Sequence, residues 1–184
     1  MHRINRYLIT AETATHTYAW LAEQSMQPDS LKTYAERVVM LNPFVDGCAI
    51  STEPGILSQY PERFVAYSLK DSDSIKTIVD TNVNYFNRKW YRLPRLQQKP
   101  CWVVYYDETN SLNLADDGMM ATYSKPLYNS DQRFLGVIST EFSLLHLSKI
   151  MAEVKPYPHS YYVMIDEQGR YVGHPDSTRL FNKT

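Results

Sequence analysis

Residues 101–141, CWVVYYDETNSLNLADDGMMATYSKPLYNSDQRFLGVISTE, hold three β-prone runs separated by turn formers. Cys101 to Asp107 is nearly continuous in Trp, Val and Tyr, and a polar loop follows it and ends at Asp117-Gly118. Met119 to Leu127 is the second run, Asn129-Ser130-Asp131 a turn, and Phe134 to Glu141 the third. Aromatic and β-branched residues suit a pleated surface, and such short polar connections join antiparallel neighbours. This stretch therefore reads as a three-stranded meander.

Upstream, Phe44 to Ser51 and Arg63 to Leu69 add two strands, separated by the loop TEPGILSQYPE at 52–62. Asp71 to Asp80, polar and rich in Ser and Asp at its start, reads as a loop followed by a short helix. Thr81 to Leu93 reads as a helix ending before Pro94, because a residue preceding proline is pushed out of the helical region. At the N-terminus, Ile4, Tyr7, Leu8, Ala11, Ala14, Tyr18, Leu21 and Ala22 recur at three/four spacing, which predicts a long amphipathic helix from Ile4 to Met26. Pro28 breaks it, and Asp29 or Ser30 caps a second helix carrying Leu31, Tyr34, Val38 and Leu41, which Asn42-Pro43 ends. Downstream, Ser143 caps a helix with Leu144, Leu147, Ile150 and Met151 on one side, and Pro156 to Pro158 marks a boundary. Tyr161 to Ile165, the turn DEQG and Arg170 to Gly173 make a hairpin. The class is α+β. An isolated hairpin is marginally stable, so the last one reads as the opening of a second module.

Composition narrows the function. Formal net charge is −1, with no basic cluster, which argues against nucleic acid and against an anionic membrane surface. No apolar run is long enough to span a bilayer, and no signal-peptide core is present. Fifteen Tyr against six Gly give a surplus of side chains that are apolar along the body and polar at the tip. Cys48 and Cys101 lack CxxC or Cys/His spacing, so two buried free thiols is the simplest reading, and the sequence leaves a disulfide between them open. The five His show no metal-ligand spacing, Asp71, Asp73 and Asp80 lack that of an EF-hand, and no GxSxG elbow or phosphate loop occurs. Neither a metal nor a cofactor is called for.

The candidate site lies around the first meander strand. Side chains alternate along a strand, so Tyr105 and Asp107 point to one side and Trp102, Val104 and Tyr106 to the other. If Arg88 and Trp90 fold over the Tyr105 side, a fixed cation and a fixed anion stand apart between aromatic walls, which is what a zwitterion needs. The guanidinium fork and indole N–H hold a carboxylate, while Asp107 and the Tyr105 hydroxyl take an ammonium. Glu141 adds a second acceptor. The plainer alternative is that Arg88 pairs with an acid and the aromatics are core.

The ordered series RKWYRLP (88–94), KPCWVVYYDE (99–108), ATYSKPLYNSDQRFLGVISTEFSL (121–144) and YVMIDEQGRYVGHPD (162–176) resembles the extracytoplasmic double Cache sensor domains of bacterial transmembrane receptors. The resemblance implies a PAS-like antiparallel sheet flanked by helices. It divides the chain into a stalk helix at 1–27, a membrane-distal module at 28–143, and a connecting helix with the start of a membrane-proximal module at 144–184. It also implies a periplasmic location, membrane spans outside this sequence, and a cytoplasmic output such as a histidine kinase or chemoreceptor signalling domain. Amino-acid-binding members carry RxW for the carboxylate, and YxD plus a later Asp for the amine. Arg88 and Trp90 match the first, Tyr105 and Asp107 the second. Glu141 replaces the last Asp, and the Tyr that often precedes the Arg falls near Val83, with Tyr85 as a shifted substitute. The expected partner is thus a small molecule such as an amino acid, carboxylate or amine, together with a second copy through the N-terminal helix. Two other classes compete: a ligand-free dimerisation or interaction spacer, and a hydrolase pairing Asp107 with Glu141.

Overall fold

The computed structural model describes residues 2–71, 74–106, 119–153, 155 and 157–182. The chain forms two compact units, one of Met1–Val103 with Thr122–Glu141, the other of Val104–Ala121 with Phe142–Thr184. Helix α1 spans His2–Gln24 and α2 Pro28–Leu41. Strands β1 (Gly47–Thr52), β2 (Val65–Asp71) and β3 (Ser74–Asp80) follow, then α3 (Lys89–Gln97) and strands β4 (Cys101–Tyr106), β5 (Met119–Tyr128) and β6 (Phe134–Ser143). Helix α4 (Leu144–Glu153), the short pair β7 (Met164–Ile165) and β8 (Tyr171–Gly173), and a 3-10 turn at Ser177–Arg179 follow. The main sheet has six strands in the order β3-β2-β1-β6-β5-β4.

Helix α1 buries Ile4, Tyr7, Ala11, Ala14, Ala19 and Ala22, a stripe at the expected spacing. Small alanines let the helix approach the sheet closely, and Thr15 Oγ1 meets Thr140 Oγ1 of β6 at 2.6 Å. Glu12 of α1 accepts from Trp102 Nε1 at 2.8 Å, and His16 Nε2 lies 3.1 Å from the Tyr123 hydroxyl. At the helix's far end Glu23 takes Lys125 Nζ at 3.3 Å and the Tyr128 N–H at 3.2 Å. These contacts fix which side of β4, β5 and β6 is covered by α1. Helix α2 packs on β1, β2 and β3.

Three local readings of the sequence are corrected. Pro28 does not merely break the first helix; it is the first residue of α2, with Gln27 at the N-cap and no capping side chain from Asp29 or Ser30. A proline there loses no bond, because the first helical N–H groups have no partner inside the helix. Residues 74–80 form β3 rather than a helix, paired from Val65↔Asp80 to Asp71↔Ser74. The run Ile75, Thr77, Ile78, Val79 is β-branched, and the waiting edge of β2 decides its conformation. Residues 81–88 are bends, irregular chain and one turn: Asp80 Oδ1 takes the N–H groups of Asn82 and Val83 at 2.7 and 3.0 Å, which diverts the chain from a helix. Helix α3 starts only at Lys89 and continues through Pro94, which is buried within it. Packing of Trp90, Tyr91 and Pro94 on one side outweighs the lost backbone bond.

In the second unit the Ser143 cap is as expected, its Oγ accepting from the His146 N–H at 3.1 Å. The hairpin turns on Asp166, which takes the N–H groups of Gln168 and Arg170 and the Arg170 guanidinium. Both cysteines are free. In the sheet, β1 and β4 are separated by β6 and β5, about 14 Å at normal strand spacing, twice the reach of a disulfide.

Candidate functional site

Because Thr140 faces α1, the residues that alternate with it, Val137, Ser139 and Glu141, face the other side of the sheet. The β1–β6 register places Gly47, Ala49 and Ser51 opposite Glu141, Ser139 and Val137, and the β1–β2 register places Tyr67 opposite Ala49. On β5, Tyr123 meets His16 of α1, so Thr122 and Ser124 point the other way, and Ser124 Oγ meets Ser139 Oγ at 2.8 Å. The face away from α1 is therefore a floor of small residues, Gly47, Ala49, Ser51, Thr122, Ser124 and Ser139. Buried faces of this kind are ordinarily filled by Val, Ile and Leu. Here hydroxyls occupy it, all fully buried where they stand.

One carboxylate belongs to this floor. Glu141 is 1% exposed, and its Oε2 accepts from the Tyr67 hydroxyl at 3.0 Å. Gly47 makes that contact fit: a Cβ there would lie 3.0 Å from the Tyr67 oxygen and 3.1 Å from Glu141 Oε2. Burial, then the charge of Glu141, pushes the neighbouring Cys48 thiol well above its ordinary range, so it stays protonated. Thr122 Oγ1 is buried with no hydrogen-bond partner among the described residues.

Arg88 and Trp90 stand at the start of α3, Arg88 half-buried at the N-cap and Trp90 6% exposed. An aromatic cluster holds them. The Tyr85 and Trp90 ring centroids are 6.2 Å apart, and the Tyr85 hydroxyl donates to the Thr52 carbonyl at 2.6 Å and accepts from the Phe64 N–H at 3.1 Å. Tyr91 donates to Glu53 Oε1 at 2.5 Å, and Arg95 holds Glu53 Oε2 at 2.8 Å. Burial, reinforced by the adjacent Glu53, raises the Tyr91 phenol far above its usual range, so it acts only as a neutral donor. Tyr91 is thus anchored beside the end of β1, whereas Glu141 pairs with Gly47 at its beginning, about 16 Å away along the strand.

Tyr105 lies half-buried on β4, within the second unit, and alternates with Trp102, whose indole is turned to Glu12. Asp107 lies outside the described residues. Sequence reasoning missed Tyr67, Gly47, Thr122, Ser124 and Ser139. The signal was present as Thr122 and Ser124 at alternate positions in ATYSKP and as Ser139 two before Glu141 in VISTE, where strands inside a sheet would carry aliphatic residues. Among the described residues, no group of three or more His, Cys, Asp and Glu is placed to hold a metal, and no helix is long and apolar enough to cross a membrane.

Residues 3–149 match the family model described as the methyl-accepting chemotaxis protein-like, first PDC sensor domain. The chain belongs to this family of sensor domains. Its fold is the PAS-like α+β fold of such domains, and solved relatives share it at low identity. The extracellular domain assigned to a histidine kinase, mmHK1S-Z3, is 21% identical with a TM-score of 0.75 over 99% of this chain and 68% of that one. A structure of methyl-accepting chemotaxis protein X is 18% identical with a TM-score of 0.77, covering 100% and 72%. The ligand-binding domain of the Pseudomonas aeruginosa PAO1 amino acid chemoreceptor PctC, in complex with GABA, is 15% identical with a TM-score of 0.66, covering 98% and 73%. A search of curated proteins gives no match.

Proposed function

We propose that this PDC sensor domain is the extracytoplasmic, ligand-sensing part of a bacterial membrane receptor, and that its ligand is a small amine-bearing molecule of the amino-acid class. The observation that carries this reading is the buried Glu141 carboxylate, steadied by Tyr67 on a floor of small hydroxyl side chains. A buried carboxylate accepts hydrogen bonds at both oxygens, and an ammonium brings N–H donors and positive charge that suit it. In this proposal Glu141 receives the ammonium and Arg88 and Trp90 a carboxylate, and the sequence pattern alone nominates Tyr105 and Asp107 as further acceptors. Relatives of the same fold, crystallised with GABA and with asparagine, are consistent with that chemistry. The division into stalk helix 1–27, distal module 28–143 and membrane-proximal segment 144–184 belongs to the same reading. Ligand acts by favouring one of two arrangements of the domain, which α1 transmits toward a membrane segment.

A thermal-shift screen against amino acids, small carboxylates, amines and purines tests it. A ligand at a hundred times its dissociation constant adds about 2.7 kcal/mol, about 5–11 °C for a chain of this size. The expected hit is an α- or ω-amino acid whose shift is abolished by Arg88→Ala and by Asp107→Ala. A hit insensitive to both refutes the assignment of residues, and silence of folded protein across the panel refutes the ligand class.

A second reading rests on the outward face of α1, where Ile9 and Trp20 are 59% and 61% exposed and Thr13 and Thr17 are exposed between them. This uncharged stripe suits pairing with a second copy. Sedimentation at rising concentration is expected to show a dimer that Trp20→Glu disperses; a monomer throughout excludes it.

A further inference from the structure

We infer that Thr122 completes the ammonium site and restricts it to amines that carry N–H donors. This inference rests on the amine reading of the Glu141 site. Ser124 and Ser139 share a hydrogen bond across the adjacent strands β5 and β6, and Thr122 and Glu141 are the next residues on that same face, two positions along each strand. Thr122 is 0% exposed, yet its hydroxyl has no partner among the described residues. The neighbouring hydroxyls are satisfied: Ser51 Oγ donates to the Val137 carbonyl at 3.3 Å, and Ser124 and Ser139 bond each other. Thr122 is the exception in this row, and it lies on the same face of the sheet as the carboxylate, one strand away.

A buried hydroxyl that the fold leaves unmatched is a cost that a ligand can relieve. What approaches both a carboxylate and a hydroxyl oxygen must bring donors, since an ionised carboxylate only accepts. An ammonium with three N–H groups meets Glu141 with one and Thr122 with another. A quaternary ammonium has none to give. The hydroxyl oxygen thus sets the class of ligand, primary amines over fully methylated ones, while Tyr67 positions Glu141.

The experiment compares wild type, Thr122→Val and Thr122→Ser by calorimetric titration and thermal melting, with L-asparagine, GABA and glycine betaine as probes. Valine keeps the shape and deletes the hydroxyl. The expected result is that asparagine or GABA binds the wild type, betaine does not, Thr122→Val weakens the amine roughly tenfold or more, and Thr122→Ser restores it. Since no internal bond is lost, Thr122→Val without ligand melts no lower than wild type. Equal binding by Thr122→Val, or betaine binding as tightly as the amines, overturns the inference while leaving the amine site intact. A Thr122→Val melt several degrees lower shows that the hydroxyl has a structural partner and also overturns it. If neither amine binds folded wild type, the reading beneath it falls, and this inference with it.

Discussion

Replacing Tyr67 by Phe removes one oxygen from the interior and leaves the ring in place. That oxygen donates to Glu141 Oε2 at 3.0 Å, and both residues are buried, at 0% and 1% exposure. A hydrogen bond to a charged group contributes about 1.5–3 kcal/mol net. For a chain of this length each kcal/mol moves the melting temperature by about 2–4 °C, so Tyr67→Phe is expected to melt about 3–12 °C lower. Packing contributes little to that loss, because the ring volume is preserved. Urea unfolding of wild type, Tyr67→Phe, Glu141→Gln and the double variant separates the pair from its surroundings, with a coupling energy of at least about 1 kcal/mol expected. An unchanged midpoint for Tyr67→Phe, or strictly additive single effects, refutes the claim that this bond steadies the buried carboxylate.

Gly136→Ala is expected to cost several kcal/mol and to broaden or abolish the thermal transition: at φ +153°, an added Cβ falls 2.0 Å from the Ser51 carbonyl oxygen, against backbone that cannot yield. In the second unit, burial is the largest single influence on the Asp166 carboxyl and raises it, but hydrogen bonds from Arg170 and Gln168 and the Arg170 charge together outweigh it and hold the carboxyl below its ordinary value. Its folded-state value lies under the unfolded one, so its support for the hairpin is complete above about pH 4 and fades as pH falls through the lower folded value. Amide exchange at Gln168 and Arg170 is expected to accelerate over that acid window, and Asp166→Asn to flatten the change. Burial raises both thiols, Cys48 further because Glu141 adds to it, and Cys101 is only half-buried. Mild alkylation at pH 8 is expected to label Cys101 first and Cys48 only on unfolding; the reverse order contradicts the packing of β1.

Local pattern carried much of this protein. The stripe Ile4, Tyr7, Ala11, Ala14, Ala22 fixed the long helix, and the turn residues Asn129 to Asp131 fixed the β5–β6 hairpin. Both depend on neighbours a few residues apart, and that is the range at which periodicity and turn chemistry speak. Residues 74–80 were misread because their polar start resembles a helix cap, and only the open edge of β2 made them a strand. Helix α3 runs through Pro94 because the buried side of Trp90, Tyr91 and Pro94 outweighs what proline alone dictates. The order β3-β2-β1-β6-β5-β4 brings the first strand of the chain against the last of its main sheet. That single non-local pairing sets Gly47 opposite Glu141 and brings Tyr67 to it. Its place at the end of the third meander strand named Glu141 as an acceptor; only the register, a property of strands 94 positions apart in sequence along the Gly47↔Glu141 pair, decided that it would be buried and steadied by a phenol. Such pairings leave no mark in any one stretch of sequence, because the energy that selects them comes from closing the whole sheet.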